Sequence, residues 1–318
     1  MKISIIAYSS AGLMLVVLST LLLAPIIMPA FGYNSTTFND TFKSNVTVSN
    51  AAPGVSTVSF DDNDSSHAAI TLSAGNTTNY VMCNATVTDP NGWQDLQSPG
   101  NVNATFWLTT FSNTSSNFSS ANDTNYHYVN SSCALVSGVG NTATATCVAP
   151  FEYEALNGTW NCTITAIDQS GSTASNSTTN TVDQLVAVSV AETSIHFGTL
   201  ATDKNSSTSN TTNETNLGNV KMDLTLVGTD MPCTGVGTVG VGNISFNVTS
   251  GGYDTMVGNK LSTAGTSLTT FNLNPRGITP FGDATAATNL TYWTVHVPSG
   301  VRGECMSNIT VVALLSTD

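Results

Sequence analysis

Short runs in which apolar and polar residues alternate recur along most of this 318-residue chain. In Cys83-Asn84-Ala85-Thr86-Val87 and in Trp160-Asn161-Cys162-Thr163-Ile164 every second residue is apolar. Over 243–249, Ile244, Phe246 and Val248 alternate with Asn243, Ser245, Asn247 and Thr249, and Asn308-Ile309-Thr310-Val311 repeats the pattern. Residues i and i+2 share one face of a strand, whereas a helix scatters them around its circumference. The pattern therefore predicts a chain of half-buried β-strands, with the polar residues on the outer faces.

Two series of such runs emerge. The first comprises 55–60, 68–72, 80–87, 102–108, 126–129, 142–148 and 159–167, with turn signals at Asp89-Pro90-Asn91-Gly92, Ser98-Pro99-Gly100, 138–141 and Asn157-Gly158. About seven punctuated strands over 53–183 predict an immunoglobulin-like β-sandwich. The Ser/Thr/Asn-rich stretch 168–183 is either its last strand or a linker. The second series, 185–190, 194–197, 220–226, 244–248, 268–273, 290–297 and 309–315, predicts a second β-sandwich over 184–318. Between its runs, 203–216 holds three Asn-x-Ser/Thr sequons and reads as a glycosylated loop. The fold class is all-β, two sandwiches in tandem, with no internal repeat and no strongly periodic helix.

The six cysteines fit this division. Cys133 and Cys147 lie symmetrically about Gly140, so a hairpin folded there sets them opposite one another at disulfide distance. Cys83 on an early strand and Cys162 on a late one occupy the inter-sheet bridge positions of an immunoglobulin-type core, with Trp160 at its corner. Cys233 and Cys305 then form the third pair by elimination. Six cysteines allow 15 connectivities, and no CxxC spacing suggests zinc or thioredoxin-like chemistry.

The N-terminus changes the address. Met1-Lys2, an apolar run over 3–24 and Pro25 read as a Sec-type export signal, and Ala30-Phe31-Gly32 places its end at residue 32. The run is also long enough to span a bilayer, so an uncleaved anchor is the alternative and the one route to a membrane. Residues 33–52 form a polar, sequon-rich lead; its strand-like piece Val46-Thr47-Val48 suits donation to a neighbour's sheet edge, although the sequons at Asn34, Asn39 and Asn45 oppose insertion if glycosylated.

Composition sharpens the picture further. Asn-x-Ser/Thr occurs 21 times, where roughly eight or nine are expected by chance. Sequons at Asn84, Asn103, Asn113, Asn161, Asn210, Asn243, Asn247 and Asn308 are glycosylation candidates. Seven Lys and Arg against 20 Asp and Glu give a net charge of −13, which argues against nucleic acid as a partner.

Some phrases carry a resemblance. Ala68-Ala69-Ile70-Thr71-Leu72, then Thr88-Asp89-Pro90-Asn91-Gly92-Trp93-Gln94-Asp95, then Asn157-Gly158-Thr159-Trp160-Asn161-Cys162 resemble the immunoglobulin-like first domain of exported archaeal surface proteins. Phe197-Gly198-Thr199-Leu200, Asn216-Leu217-Gly218-Asn219-Val220 and Tyr292-Trp293-Thr294-Val295-His296-Val297 resemble the second half of that group, and β-sandwich fibre proteins of the TasA/camelysin type. The resemblance implies an extracellular structural or adhesive protein of an archaeal envelope. It implies no catalytic residues, and no metal motif accompanies the metallopeptidase label sometimes attached to camelysin-like proteins.

Catalytic signatures are missing from the sequence. His67, His127, His196 and His296 are scattered, with His196 and His296 on predicted strands of the second half. There is no nucleophile elbow, phosphate-binding loop or dinucleotide fingerprint. Glu152 and Glu154 lie two apart on one strand face, which suits a glycosidase pair in geometry, but with no aromatic sugar-binding residues around them they read as a solvated face. One acidic group is more suggestive. Asp61, Asp62 and Asp64 precede the run at 68, Asp89 and Asp95 flank the loop after the Cys83 strand, and Asp168 follows the Cys162 strand. Asp61, Asp62, Asp64, Asp89 and Asp168 are thus candidate calcium ligands, against the simpler reading of solvated turn residues.

The sequence thus predicts a non-enzymatic, glycosylated cell-surface component whose partners are other surface proteins, glycans or copies of itself. The alternatives are a surface hydrolase acting on peptides or glycans, and a calcium-dependent ligand-binding module in which Trp93 is a contact residue.

Overall fold

A computed structural model describes residues 42–317 except 63–67, 76, 112–122, 257–258 and 278–286. The expected export segment 1–32, Asn34, Asn39, Asp64, His67 and Asn113 lie outside the described residues. The chain divides into two compact units, Met1–Val48 and Ser49–Asp318. In the first, residues 42–48 have no regular structure and expose Phe42, Val46 and Val48. No described helix is long and apolar enough to cross a membrane.

The second unit is all-β. Its first eight strands are β1 (Gly54–Asp61), β2 (Asn79–Thr88), β3 (Val102–Leu108), β4 (His127–Asn130), β5 (Ala134–Val139), β6 (Thr142–Phe151), β7 (Gly158–Ile167) and β8 (Thr173–Val182). They form two antiparallel four-stranded sheets, ordered β1-β2-β6-β5 and β4-β3-β7-β8. Named A to G in the immunoglobulin manner, these are A-B-E-D and C′-C-F-G, the topology of that sandwich. The stretch 168–183 therefore supplies the last strand. Along β2 and β7 the apolar residues alternate inward, and Val81, Cys83, Val87, Trp160, Cys162 and Ile164 are inaccessible to solvent.

Between these sheets lies one apolar core. Tyr128 stacks on Phe151 with ring centroids 4.4 Å apart, and Phe151 contacts Trp160 at 4.7 Å and Phe106 at 6.0 Å. Cys83–Cys162 joins the two sheets through this core, and Cys133–Cys147 closes the β5–β6 hairpin. Trp160, two residues before Cys162, donates from Nε1 to the Leu156 carbonyl four residues upstream at 2.8 Å. That is the bond a corner tyrosine makes in this fold, made here by an indole.

The remaining strands are β9 (Val188–Val190), β10 (Lys204–Asn205), β11 (Asn210–Asn216), β12 (Met222–Gly228), β13 (Met231–Pro232), β14 (Thr238–Val239), β15 (Ile244–Asn247), β16 (Thr266–Leu273), β17 (Thr288–Val297) and β18 (Ile309–Leu315). One sheet runs β10-β17-β11-β9 with β15 also paired to β17, another runs β16-β12-β18, and β13-β14 form a small ribbon. A second apolar core, with Leu224, Leu226, Ile244, Phe246, Phe271 and Trp293, lies among them. Cys233–Cys305 clips the end of the ribbon to the segment before β18.

Some sequence expectations differ from the fold. The stretch 68–72 is no strand; Ile70 alone bridges Val182. Residues 194–197 are likewise irregular. The expected glycosylated loop 203–216 contains β10 and the central strand β11, bonded to β17 on one side and β9 on the other. Its inward residues are polar, so no apolar alternation announced it. Glu214, fully buried, accepts from the hydroxyls of Thr212 at 2.6 Å and Thr291 at 2.7 Å, and from the Thr291 amide. Trp293 Nε1 donates to the Thr212 and Thr291 hydroxyl oxygens at 2.8 and 2.9 Å. Ser245, expected on an outer face, is also fully buried, and Lys260 of the following segment bridges to its backbone.

Three buried asparagines outside any sequon hold the chain where one core gives way to the next. Asn219 donates to the carbonyls of Ala155 and Asp183 while its Oδ1 accepts from the Leu185 amide. Asn216 donates to the Val220 and Leu273 carbonyls. Beside them a Cβ on Gly218 would lie 2.0 Å from the Leu185 carbonyl oxygen, so only glycine fits that approach. Asn125 donates to the carbonyls of Glu154 and Arg276.

Candidate functional site

Two loops at one end of the first sandwich bring three carboxylates together. Asp89 directly follows β2; its amide donates to the Asn141 carbonyl in the β5–β6 turn. Asp95 sits in the 3-10 turn Trp93–Leu96, and the Trp93 amide donates to the Gly140 carbonyl of the same β5–β6 turn. Asp168 directly follows β7. One oxygen from each carboxylate lies within 4.8 Å of the other two. The antiparallel order explains the meeting: β2 and β7 run the same way in facing sheets, so the loops after them share an end.

Asp168 is almost fully buried and well satisfied. Its Oδ1 accepts from the amides of Ser170 at 2.9 Å and Ser172 at 2.8 Å, and its Oδ2 accepts from Asn50 Nδ2 at 2.8 Å. The Asn50 bond, with those two amides, holds this carboxyl below the usual aspartate range. Asp89 is the opposite case. It is 0% exposed, its Oδ1 accepts from the Asn91 amide at 2.7 Å, and its Oδ2 has no hydrogen-bond partner. Burial, then the charges of Asp95 and Asp168, push its carboxyl up. Just before β1, Asn50 and Ala51 tie the loops together, since the Ala51 amide donates to Asn91 Oδ1.

The candidate calcium set thus divides. Asp89 and Asp168 meet, joined by Asp95, which the sequence places on the same loop but outside the set. Asp61 and Asp62 fall at the other end of β1: Gly54 pairs with Thr88 beside Asp89, whereas Asp61 pairs with Met82. Seven residues of strand separate those ends by about 23 Å. Asp62 Oδ2 there accepts from the Thr71 amide. Loop position along the sequence suggested convergence; strand direction decides it.

Trp93 is packed in the structure. Its ring lies against Gly138, where a Cβ would come within 2.2 Å of it. Ser137 and Gly138 form a bulge in β5, and the missing side chain makes the notch that receives the indole. His196 and His296 have separate partners, Ser194 Oγ at 3.1 Å and Asn205 Oδ1 at 2.7 Å. Glu154 is buried near Arg276, and burial pushes its carboxyl up. It is no member of a solvated face with Glu152.

Fourteen of the 21 sequon asparagines are among the described residues, and only Asn103 is buried. Asn84, Asn161, Asn210, Asn243 and Asn247 are half-buried on or beside strands, and Asn308 is exposed. Asn103 is 6% exposed and donates to the Gly100 carbonyl.

No family model and no curated protein matches the chain. Among solved structures, a chain from a chaperone–tip adhesin complex of CFA/I fimbriae biogenesis aligns over 82% of this chain and 84% of its own, at 8% identity and TM-score 0.27. The C-terminal domain of the Streptococcus agalactiae antigen I/II polypeptide BspA aligns over 82% and 95%, at 9% identity and TM-score 0.19. That of the Streptococcus pyogenes antigen I/II-family protein AspA aligns over 76% and 91%, at 8% identity and TM-score 0.20. Likeness at these TM-scores carries no argument about this chain.

Proposed function

We propose that this chain is a secreted, N-glycosylated structural or adhesive component of a prokaryotic, archaeal-type cell envelope, and that it works without turning over a substrate. In this reading residues 1–32 direct export, 33–52 form a lead, and 53–183 and 184–318 are two surface-displayed sandwiches. The observation that carries it is the sorting of asparagines. Thirteen of the fourteen described sequon asparagines reach solvent, while the buried Asn125, Asn216 and Asn219 belong to no sequon. Sugars attached at those thirteen would leave both cores intact. A chain rich in Asn, Ser and Thr, with 8% charged residues, also gains solubility from attached glycan.

Its partners in this role are other surface proteins, glycans or copies of itself. Fractionation of native envelopes tests the role. The protein is expected in high-mass or sheet-associated material. A freely soluble monomer with measurable peptidase or glycosidase activity would overturn the proposal.

A further inference from the structure

Asp89 poses a chemical problem that the protein alone does not solve. A buried carboxylate oxygen without a hydrogen-bond donor is costly, and two further carboxylates beside it raise the cost. Asp89 Oδ2 is in that position. The amides of Ser170 and Ser172 and the carboxamide of Asn50 already engage both oxygens of Asp168 and favour its charged form. The Asp89 oxygen therefore calls for a partner, which a proton, a donating water or a bound cation would supply.

We propose that Asp89, Asp95 and Asp168 form a calcium site that pins the chain's entry into the first sandwich to the loops after β2 and β7. The donor set is all oxygen, which suits a hard cation and excludes one that prefers sulfur or imidazole. Carboxylate oxygens up to 4.8 Å apart can surround one ion at the calcium–oxygen distance of about 2.3–2.6 Å. Magnesium, at about 2.0–2.1 Å, demands a tighter octahedron. The site is also built into the fold. The amide of Asp89 and that of Trp93 are both held by the β5–β6 turn, and Asn50 and Ala51 reach one loop each. A cation there cross-links two loops far apart in sequence, to which Asn50 and Ala51 fasten the chain's entry.

Three protein carboxylates, with water completing the shell, place the affinity among extracellular calcium modules, with Kd about 10⁻⁴–10⁻³ M. The test is calorimetric titration of calcium chloride into the chelator-treated full-length protein, repeated with magnesium and followed by thermal unfolding. Saturable calcium binding in that range, a raised Tm in 10 mM calcium and weaker magnesium binding are expected. Asp95→Asn, at a half-exposed turn position, is expected to weaken calcium binding at least tenfold and to shrink the Tm shift. Asp62→Asn, at the opposite end of the sandwich, is expected to bind as the wild type does. Asp89→Asn is a second probe, and if it fails to fold the Asp95→Asn result decides. No saturable binding and no Tm shift at 10 mM calcium would overturn the site. Binding unchanged by Asp95→Asn would overturn it as well.

Discussion

The core around Trp160 is apolar, aromatic and crossed by a disulfide, whereas the core around Trp293 encloses an ionisable side chain. Trp160 and Trp293 are both almost wholly buried, and each indole N–H finds an acceptor, yet the acceptors differ in kind. Trp160 uses a main-chain carbonyl in its own loop. Trp293 uses two threonine hydroxyls that also serve Glu214, so the tryptophan, both threonines and the glutamate depend on one another. A buried polar network stabilises only while every member is satisfied. The first core should therefore lose stability in proportion to what is removed, and the second should fail as a unit.

The largest expected effect breaks the first core at its covalent link. Cys83–Cys162 closes a 79-residue separation and is fully buried, whereas Cys233–Cys305 closes a similar 72-residue separation at a partly exposed edge. Chain entropy treats these loops almost equally, so any difference between them reports packing. The Cys83→Ala/Cys162→Ala double variant is expected to cost about 2–5 kcal/mol. Cys233→Ala/Cys305→Ala should cost less. Guanidinium unfolding of both variants measures the difference, and equal losses would remove packing from the comparison.

Replacing each tryptophan by phenylalanine sharpens the contrast. Trp160→Phe gives up one hydrogen bond, about 0.5–1.5 kcal/mol, besides the volume lost. Trp293→Phe takes a shared donor from the Thr212 and Thr291 oxygens and should cost about 1–3 kcal/mol beyond its own volume loss. A Trp293 penalty no greater than that of Trp160 would show that the threonines reorganise freely.

How much of this was legible in the sequence depended on what each strand turns inward. β3 over 102–108 and β18 over 309–315 match their expected bounds because apolar residues fill their core positions. β11 is not legible, because Thr212, Glu214 and Asn216 take the inward places and periodicity in hydrophobicity cannot register a polar interior. The bulge at Ser137 and Gly138 broke the alternation of β5 in the same way. In the acidic cluster, Asp89 and Asp168 were readable from their places after the two Cys-bearing strands. The exclusion of Asp61 and Asp62 was not, since it depends on which way β1 runs.

The smallest expected effect concerns pH. Burial holds the Glu214 carboxyl above its ordinary 4.5, against the opposing Thr212 and Thr291 bonds. A carboxyl raised in the folded state contributes stability that is full below the unfolded value and is lost as pH rises through the folded one. Wild-type stability should therefore fall from this source as pH rises above 4.5. Glu214→Gln removes that component, so subtracting the two pH profiles isolates it. Parallel profiles would mean that Glu214 titrates alike in both states.

The proposed surface role requires that this fold present its sequons for glycosylation. Glycopeptide mass spectrometry of the native protein tests that requirement. The expected result is glycan on Asn84, Asn161, Asn247 and Asn308, with Asn103 unmodified because its side chain is buried against Gly100. Native protein carrying unmodified asparagine at all four solvent-reaching positions would contradict it.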